Sequence, residues 1–248
     1  MTKDYIGMEE AVEKTVSRFF SLLFPTFFGS RQTKMTPELF KETLEEALCF
    51  VLEDNNQVVD VSNKVCQQLA QVENLIHTDI QAAYDGDPAA KSKDEIILTY
   101  PGFKAISIYR LAHVLYHLQV PILPRMLTEK MHSLTGIDIH PGAQIGAYFF
   151  IDHGTGIVIG ETTIVGKHVK LYQNVTLGVR NFIIEEDGTL AKSGKRHPNI
   201  GDNVTVYAGA TILGGDTFIG ENTIIGSGTW ITRSVPANTM VVNKNSTY

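Results

Sequence analysis

The feature that most constrains this chain of 248 residues is an apolar repeat with a period of six in its C-terminal half. Counting in sixes from Ile139 to Trp230 gives an apolar residue at nearly every position, with one long interruption after Val175. A second register with the same period places glycine directly after an apolar residue, as in Ile159-Gly160. A period of six fits neither an amphipathic helix nor a simple alternating strand. It is typical of a parallel β-helix, whose coils must stack to bury their apolar edges, and the sequence leaves open which register faces inward.

The N-terminal half has apolar residues at helical spacing instead. Thr36-Pro37 predicts a helix start, because Thr can cap the first turn and Pro suits the first helical position. Residues 85–88, Asp-Gly-Asp-Pro, predict a helix end, and Gly136 is a suitable C-terminal cap. We therefore predict an α+β fold with two domains, a helical domain at 1–135 and a β-helix domain at 136–248.

The interruption of the repeat, at about residues 179–199, is polar and contains the acidic run Glu185-Glu186-Asp187. Such a segment cannot pack inside a coil, so it predicts an excursion loop that leaves the β-helix and rejoins it. In repeat proteins an insertion of this kind is often a functional arm. A surface loop without a role is the alternative.

Composition excludes some functions. A formal charge of −6 disfavours nucleic acid as a partner, and there is no apolar run long enough to cross a membrane and no secretory signal.

The apolar patch from Phe19 to Phe28 is expected to be a helix face buried in a subunit contact. Cys49 and Cys66 are expected to be free, buried thiols. We therefore expect a cytoplasmic protein.

Two short motifs in the repeat region combine histidine with carboxylates. Asp138 opens the first coil and His153 follows Asp152, fifteen residues after Asp138. If three hexads make one turn, Asp138 and His153 lie near the same corner on neighbouring coils. A carboxylate bonded to one imidazole nitrogen leaves the other free to act as a base. A purely structural hydrogen bond is the alternative.

Five motifs occur in an order that resembles the serine O-acetyltransferases: Asp87-Pro88-Ala89, Asp138–Pro141, Asp152–Thr162, Gln173–Gly178 and Arg196-His197-Pro198. The resemblance covers roughly residues 85–236 and is compatible with the helical N-terminal half. It implies a left-handed parallel β-helix of hexapeptide repeats. It also implies acetyl transfer from acetyl-CoA to the hydroxyl of L-serine, which gives O-acetylserine for cysteine synthesis.

The resemblance also implies roles for individual residues. His153 matches the general base of the family and Asp138 matches its partner. Four residues match the groups that hold the amino acid: Asp87 and Asp152 for its ammonium, and Arg196 and His197 for its carboxylate and the developing tetrahedral centre. Acidic groups at one end and a two-pronged guanidinium at the other suit a zwitterion.

In the family, acetyl-CoA is a co-substrate that lies in a groove between adjacent subunits of a trimer, and no cofactor or metal is bound permanently. Five small residues match its contact positions: Gly178, Ala208, Gly209, Ser227 and Gly228. Ordinary corner glycines are the alternative for each of them. The resemblance implies a homotrimer, and inhibition by cysteine at the serine site. The helical half with its apolar patch from Phe19 to Phe28 adds a contact between trimers, and hence a dimer of trimers, as a hypothesis.

The chain departs from the family pattern in two places. Its excursion loop is longer and more acidic. After Val235-Pro-Ala-Asn238 it ends in Tyr248 and lacks the terminal isoleucine that inserts into O-acetylserine sulfhydrylase, so no stable complex with that enzyme is predicted.

Three other functions stay open at this point. The first is a hexapeptide acetyltransferase that acts on a sugar or another hydroxyl acceptor. The second is a metal enzyme resembling γ-carbonic anhydrase, which needs three histidines from the candidates His140, His153, His168 and His197. The third is a trimeric scaffold without catalytic activity, which has no use for Asp, His and Arg gathered at coil corners.

Overall fold

The computed structural model describes residues 5–30, 34–182 and 184–243, which form a helical part followed by a left-handed parallel β-helix. None of its described helices is long and apolar enough to cross a membrane. The helices are α1 (Tyr5–Leu23), α2 (Pro25–Phe28), α3 (Pro37–Leu48), α4 (Asn55–Gly86), α5 (Lys93–Thr99), α6 (Pro101–His117) and α7 (Leu123–Thr135).

The helix boundaries predicted from capping residues are confirmed. The Thr36 hydroxyl accepts a hydrogen bond from the Leu39 N–H, and Pro37 opens α3. Helix α4 ends at Gly86. Gly136 follows α7 with a left-handed φ of 70°, which glycine adopts without steric cost.

The predictions for the phenylalanine patch and the cysteines were wrong in part. Phe19, Phe20 and Phe24 are buried in the core of the chain itself, because α1 and α2 fold back onto the other helices. Both cysteines are free as predicted, but Cys49 is exposed just after α3 and Cys66 is half-buried on α4.

The β-helix consists of three parallel sheets that form the three faces of the coil. Sheet A contains β1 (Asp138–Ile139), β4 (Val158–Ile159), β7 (Thr176–Gly178), β10 (Thr211–Leu213) and β13 (Trp230–Ile231). Sheet B contains β2 (Gln144–Ile145), β5 (Ile164–Val165), β8 (Asn199–Ile200) and β11 (Phe218–Ile219). Sheet C contains β3 (Phe150–Asp152), β6 (Lys170–Tyr172), β9 (Thr205–Val206), β12 (Ile224–Ile225) and β14 (Met240–Val241).

The interior of the coil uses both sequence registers in turn. The first register supplies the inward residue of each strand as far as Ile151, and the second supplies it from Ile159, eight residues later instead of six. The first-register residues from Ile157 to Val175 stay buried, two positions before the inward strand residue. The first register returns after the excursion, and the phase changes again between Ile212 and Ile219, which are seven residues apart. First-register residues beyond that point face outward, as Trp230 does with 69% of its surface exposed. The phase therefore changes wherever a corner is longer than usual.

The excursion loop occupies residues 179–198, between β7 and β8. Ile184 and Leu190 form an antiparallel bridge, and the Glu185 N–H donates to the Thr189 carbonyl. Residues 184–190 thus form a short, exposed hairpin, whereas both ends of the loop contact the coil: Arg180 bonds to Asp216, and His197 is buried. The ladder continues unbroken across it, because β5 pairs with β8.

Helix α6 belongs to both parts of the molecule. Its residues Ala105, Ile106 and Tyr109 are buried with the interior residues of the β-helix, so α6 covers the first coil. Beside it, the buried Arg110 guanidinium makes a two-pronged ion pair with Asp79 of α4, with contacts of 3.0 and 3.1 Å. This pair fixes the helical part against the start of the β-helix.

Candidate active site

His153 lies on an unusually long corner between sheets C and A. The two extra residues that shift the repeat fall between β3 and β4, so this corner stands out from the coil. His153 has a left-handed φ of 59°, and its side chain is 72% exposed. Gly156 has a φ of 80°, and a Cβ there would lie 2.2 Å from the Asn174 Oδ1. The local sequence thus presents an imidazole to solvent on a closely packed turn.

The Asp152 carboxylate lies directly beside this imidazole. Its Oδ1 is 3.7 Å from the His153 Nε2, and its Oδ2 is 2.9 Å from the Lys170 Nζ. Asp152 is the last residue of β3, and Lys170 lies on the neighbouring strand β6. The strand pairing therefore brings a carboxylate, an imidazole and an ammonium together at one corner.

Asp87 reaches the same corner from the end of α4. Its Oδ2 accepts a hydrogen bond of 2.5 Å from the Tyr100 hydroxyl, and its Oδ1 accepts one from the Ala89 N–H. These bonds, with Tyr100 first, hold the pKa of Asp87 below its ordinary value, and Lys170 and His153 add to the effect. Asp87 and Asp152 thus form an acidic pocket next to His153.

Asp138 lies one coil away from His153, on β1 at the edge of sheet A next to the His153 corner. The Gly156 N–H donates to the Gly136 carbonyl, which stacks the His153 turn on the residues just before Asp138. The Asp138 Oδ1 accepts a hydrogen bond of 3.0 Å from Arg125 of α7. Both residues are described, and no ion pair within 4 Å joins Asp138 to His153. The role of Asp138 as the partner of His153 stays a prediction.

Arg196 and His197 lie at a different corner, between sheets A and B. The Arg196 guanidinium bonds to Glu161, whose other oxygen accepts from Tyr116. Burial alone would raise the pKa of Glu161, but the bonds from Tyr116 and Arg196 outweigh it and lower that pKa. The Thr162 hydroxyl accepts the N–H groups of both Arg196 and His197 at 3.0 Å.

The hydrogen bonds of His197 determine which of its nitrogens carries the proton. Its Nδ1 accepts the Thr162 N–H at 3.1 Å, so the proton of the neutral ring is on Nε2. Burial, followed by the nearby Arg196 charge, lowers the pKa of His197 to about 4. A Cβ at Gly160 would lie 1.9 Å from the His197 Cδ2, so this glycine makes room for the ring. His197 is therefore a fixed N–H donor at neutral pH.

The lowered pKa predicts how acid affects stability. Between pH 6.5 and 4 the unfolded chain binds a proton at His197 and the native chain does not, so His197 makes stability fall as pH falls through this window. In His197→Gln we expect that fall to be smaller, by up to about 1.4 kcal/mol per pH unit. Urea unfolding of both proteins from pH 7 to 4 measures the difference. Equal slopes would contradict the assignment of a neutral, buried ring.

Four of the five predicted acetyl-CoA positions follow the same corner as His153. Backbone hydrogen bonds stack this corner coil on coil: the Asn174 N–H donates to Thr155, the Gly209 N–H to Gln173, and the Gly228 N–H to Ala208. The backbone segments at this corner therefore form a row along the axis of the β-helix. The row begins at His153 and includes the predicted positions Ala208, Gly209, Ser227 and Gly228. At the strand spacing of a sheet, Gly209 is about 10 Å along the axis from His153.

Gly178 lies elsewhere, at the end of β7 where the excursion begins. The structure therefore brings the predicted residues together in two sets on either side of sheet A. Asp87, Asp152 and His153 form the acidic set, and Arg196 and His197 form the basic set. Asp138, on β1, lies on the sheet between them.

The described residues form one group of three possible metal ligands, Glu129, His132 and Asp138. Arg125 bonds to both carboxylates, so a cation is already present at this group. With a single histidine it is not the three-histidine set of the γ-carbonic-anhydrase alternative.

Known proteins share both the sequence and the fold. A family model described as "Serine acetyltransferase, N-terminal" matches residues 36–108. Serine acetyltransferase 1 of Entamoeba histolytica, solved in complex with L-cysteine, is 39% identical with a TM-score of 0.82, over 92% of this chain and 86% of that one. The chain belongs to the serine acetyltransferase family. Isoform 3 of the same organism, solved with cysteine, is 37% identical with a TM-score of 0.81, over 94% of this chain and 82% of that one.

Curated members of the serine acetyltransferase family are more similar over a shorter region. A plasmid serine acetyltransferase of Synechococcus elongatus is 52% identical over 182 residues, which is 73% of this chain and 57% of that protein. The serine acetyltransferase of Bacillus subtilis is 46% identical over 136 residues, which is 55% of this chain and 58% of that protein. This family member thus spans a little over half the length of the curated relatives it matches.

Sequence reasoning missed several residues at the two sets. Lys170 and Tyr100 contact the carboxylates of the acidic set, and Glu161, Thr162 and Tyr116 support the basic set. Glu161 and Thr162 fall inside a motif that the family resemblance quotes, which was a usable signal. Lys170 and Tyr100 carried no signal, because a lysine on a strand and a tyrosine before a helix usually have only structural roles.

Proposed function

We propose that this chain transfers the acetyl group of acetyl-CoA to the hydroxyl of L-serine. The observation that carries the proposal is His153, an exposed imidazole beside Asp152 on the lengthened corner of a serine acetyltransferase fold. His153 takes the proton of the serine hydroxyl as its oxygen attacks the thioester carbonyl. The carbon–sulfur bond then breaks and the proton passes to the CoA sulfur. Direct attack needs no nucleophile on the enzyme, and general-base catalysis of this kind contributes about 10²–10⁴-fold.

The two sets of residues suit the two ends of the amino acid. Asp87 and Asp152 bind the ammonium, Arg196 binds the carboxylate, and the Nε2–H of His197 donates to the carboxylate or to the developing oxyanion. In one chain the two sets lie on opposite sides of sheet A. We therefore propose that the active form is a homotrimer, alone or as a dimer of trimers, in which the acidic corner of one copy faces the basic corner of the next. Sedimentation equilibrium tests this assembly.

In this proposal acetyl-CoA binds along the row of backbone segments at the His153 corner. Small residues there, such as Gly209 and Gly228, allow the pantetheine chain to approach the backbone. L-Cysteine differs from L-serine by sulfur in place of oxygen, and we propose that it competes for the same pocket. The complexes of the Entamoeba histolytica enzymes with cysteine support this proposal.

The remaining partner predictions follow the sequence. We propose a cytoplasmic enzyme without nucleic-acid or membrane partners. The prediction that no stable complex forms with O-acetylserine sulfhydrylase depends on residues 244–248, which lie outside the described residues.

The decisive experiment measures CoA release from acetyl-CoA against a panel of hydroxyl acceptors. We expect release that depends on L-serine and exceeds release with D-serine, L-homoserine, glycerol or hexoses by at least tenfold, because only L-serine places both charged ends and its hydroxyl correctly. A hexose as the best acceptor would replace serine with the sugar alternative. No release with any acceptor would overturn acetyl transfer.

A further inference from the structure

Lys170 is a cation in the acidic pocket, and the proposed mechanism gives this lysine no role. It lies on β6, and its side chain is only 18% exposed. The Nζ is 2.9 Å from the Asp152 Oδ2 and donates to the Gly86 carbonyl at 2.8 Å. It also lies 4.7 Å from the ring centre of Phe150 and 4.5 Å from that of Tyr172. Contacts on several sides hold this ammonium in one place.

The ammonium stays charged in this position. Burial alone would lower the pKa of Lys170, but Tyr172 and Asp152 outweigh it and raise that pKa above its ordinary value. The pocket therefore contains two carboxylates, Asp87 and Asp152, and one resident cation. Its net charge is −1 while His153 is neutral, which matches a single ammonium group.

The contacts of Lys170 also decide how Asp152 is oriented. Lys170 binds the Oδ2 of Asp152, and this leaves Oδ1 on the side of His153, 3.7 Å from its Nε2. Among these contacts, the ion pair with Lys170 is the one that fixes the Asp152 carboxylate. Asp87 cannot do so, because it carries the same charge and bonds to Tyr100 instead.

We infer that Lys170 is a positioning residue of the amino-group pocket, which holds the Asp152 carboxylate in the orientation that binds the ammonium of the substrate. The inference rests on the proposed function, since it assigns the ammonium of L-serine to this pocket. Lys170 acts through Asp152 and does not touch the reacting atoms.

The loss of Lys170 should act on the binding of L-serine alone. The charged and titratable groups around Asp152 are Lys170 and Tyr172 from β6, His153 from its own corner, Asp87 from the end of α4, and Tyr100. Removing the one cation leaves two carboxylates that repel each other and frees Asp152 to turn away from its present position beside His153. The defect is therefore expected in the binding of the amino acid and not in the binding of acetyl-CoA.

The experiment compares Lys170→Met with two matched variants. Lys167→Met removes the same charge from the same coil at an exposed corner, and Lys170→Arg keeps a cation at the site. In Lys170→Met we expect the KM for L-serine to rise about tenfold, while kcat stays within about threefold of wild type. The KM for acetyl-CoA should be unchanged. Lys167→Met should match wild type, and Lys170→Arg should lie close to it.

Other results would overturn the inference. A matching rise in the KM for acetyl-CoA, or a fall in kcat as large as the rise in the KM for L-serine, would show a structural defect only. A lower KM for L-serine would show that Lys170 competes with the substrate. Lys170→Met kinetics that match those of Lys167→Met would show no role in the pocket. A separate readout needs no turnover: calorimetry with L-serine should show the affinity lowered about tenfold in Lys170→Met and unchanged in Lys167→Met. Wild-type enzyme that is inactive with L-serine would refute the proposed function, whereas unchanged L-serine binding in Lys170→Met would refute the role of Lys170.

Discussion

We expect the His153→Asn variant to lose acetyl transfer by about 10²–10⁴-fold in kcat, with acetyl-CoA binding close to wild type. Asparagine cannot accept the proton of the serine hydroxyl, so the variant loses the base. It tolerates the left-handed φ of 59° that His153 adopts, so the corner keeps its shape. Alanine is a poorer choice, because it would add backbone strain at that φ. Steady-state kinetics and calorimetry with CoA measure the two effects separately.

His168 provides a matched control for this substitution. It is also an exposed histidine at a corner of the coil, with a φ of 56°, but it lies between β5 and β6 and stacks on Tyr148. His168→Asn should retain kcat within a factor of two or so of wild type. If His153→Asn were equally active, the base would have to be another group and the proposed mechanism would fail.

The second large effect concerns stability. We expect Arg110→Met to lower the free energy of unfolding by about 3–5 kcal/mol, the usual cost of removing one partner of a buried ion pair. Arg110 is 4% exposed and Asp79 is 3% exposed. Arg110 also donates to the carbonyls of Ile145 and Gly146, while the Phe149 N–H donates to Asp79. The variant therefore leaves several buried polar groups without a partner.

The ionisation of Asp79 supports this expectation. Burial raises the pKa of Asp79 to about 6, although the Arg110 charge opposes the rise. Asp79 is thus ionised at pH 7.5 while Arg110 is present. Without Arg110 its pKa rises further, so Arg110→Met leaves a buried, unpaired carboxyl group that must take up a proton.

Urea unfolding at pH 7.5 and a fixed protein concentration measures the loss. Lys14→Met breaks an exposed ion pair with Glu46 and should cost less than about 1 kcal/mol. The double variant Asp79→Leu, Arg110→Met should recover part of the loss, because it removes the unpaired carboxyl group. A loss below 1 kcal/mol in Arg110→Met would show that the pair does not hold the two parts together.

The coil could be predicted from sequence because its period of six is unlike that of any helix or single strand. The inward register could not, because both registers are apolar where the phase changes. Ile157 and Ile159 are both buried, so hydrophobicity alone does not show that the corner after Ile151 has two extra residues. The pairing of Ile139 with Ile159 shows the two extra residues, and this pairing exists only once the coil has formed.

The site was predictable to a different degree in each part. The order of the polar motifs predicts His153 and the acidic residues through the family resemblance, whereas the spacing of Asp138 and His153 alone left a structural hydrogen bond as the alternative. Spacing along the sequence does not show that Arg196 and His153 lie at different corners, because that depends on how the strands are divided among the three faces of the coil. Lys170 was missed because a lysine that faces outward from a strand usually contacts water, and only the neighbouring Asp152 and Gly86 give it another role.

Helix α6 has a consequence for anyone who wishes to produce the β-helix alone. A fragment that starts at residue 136 would expose the unpaired edges of the first strands and the apolar residues that Ala105, Ile106 and Tyr109 now cover. Bare strand edges of this kind join end to end, so such a fragment should form filaments or precipitate. A fragment that starts at Pro101 would retain α6 over these strands, but it would lose Asp79, the partner of Arg110, and expose the face of α6 that packs on the other helices. For protein production, the useful boundary is therefore ahead of α4 and not at the first hexad.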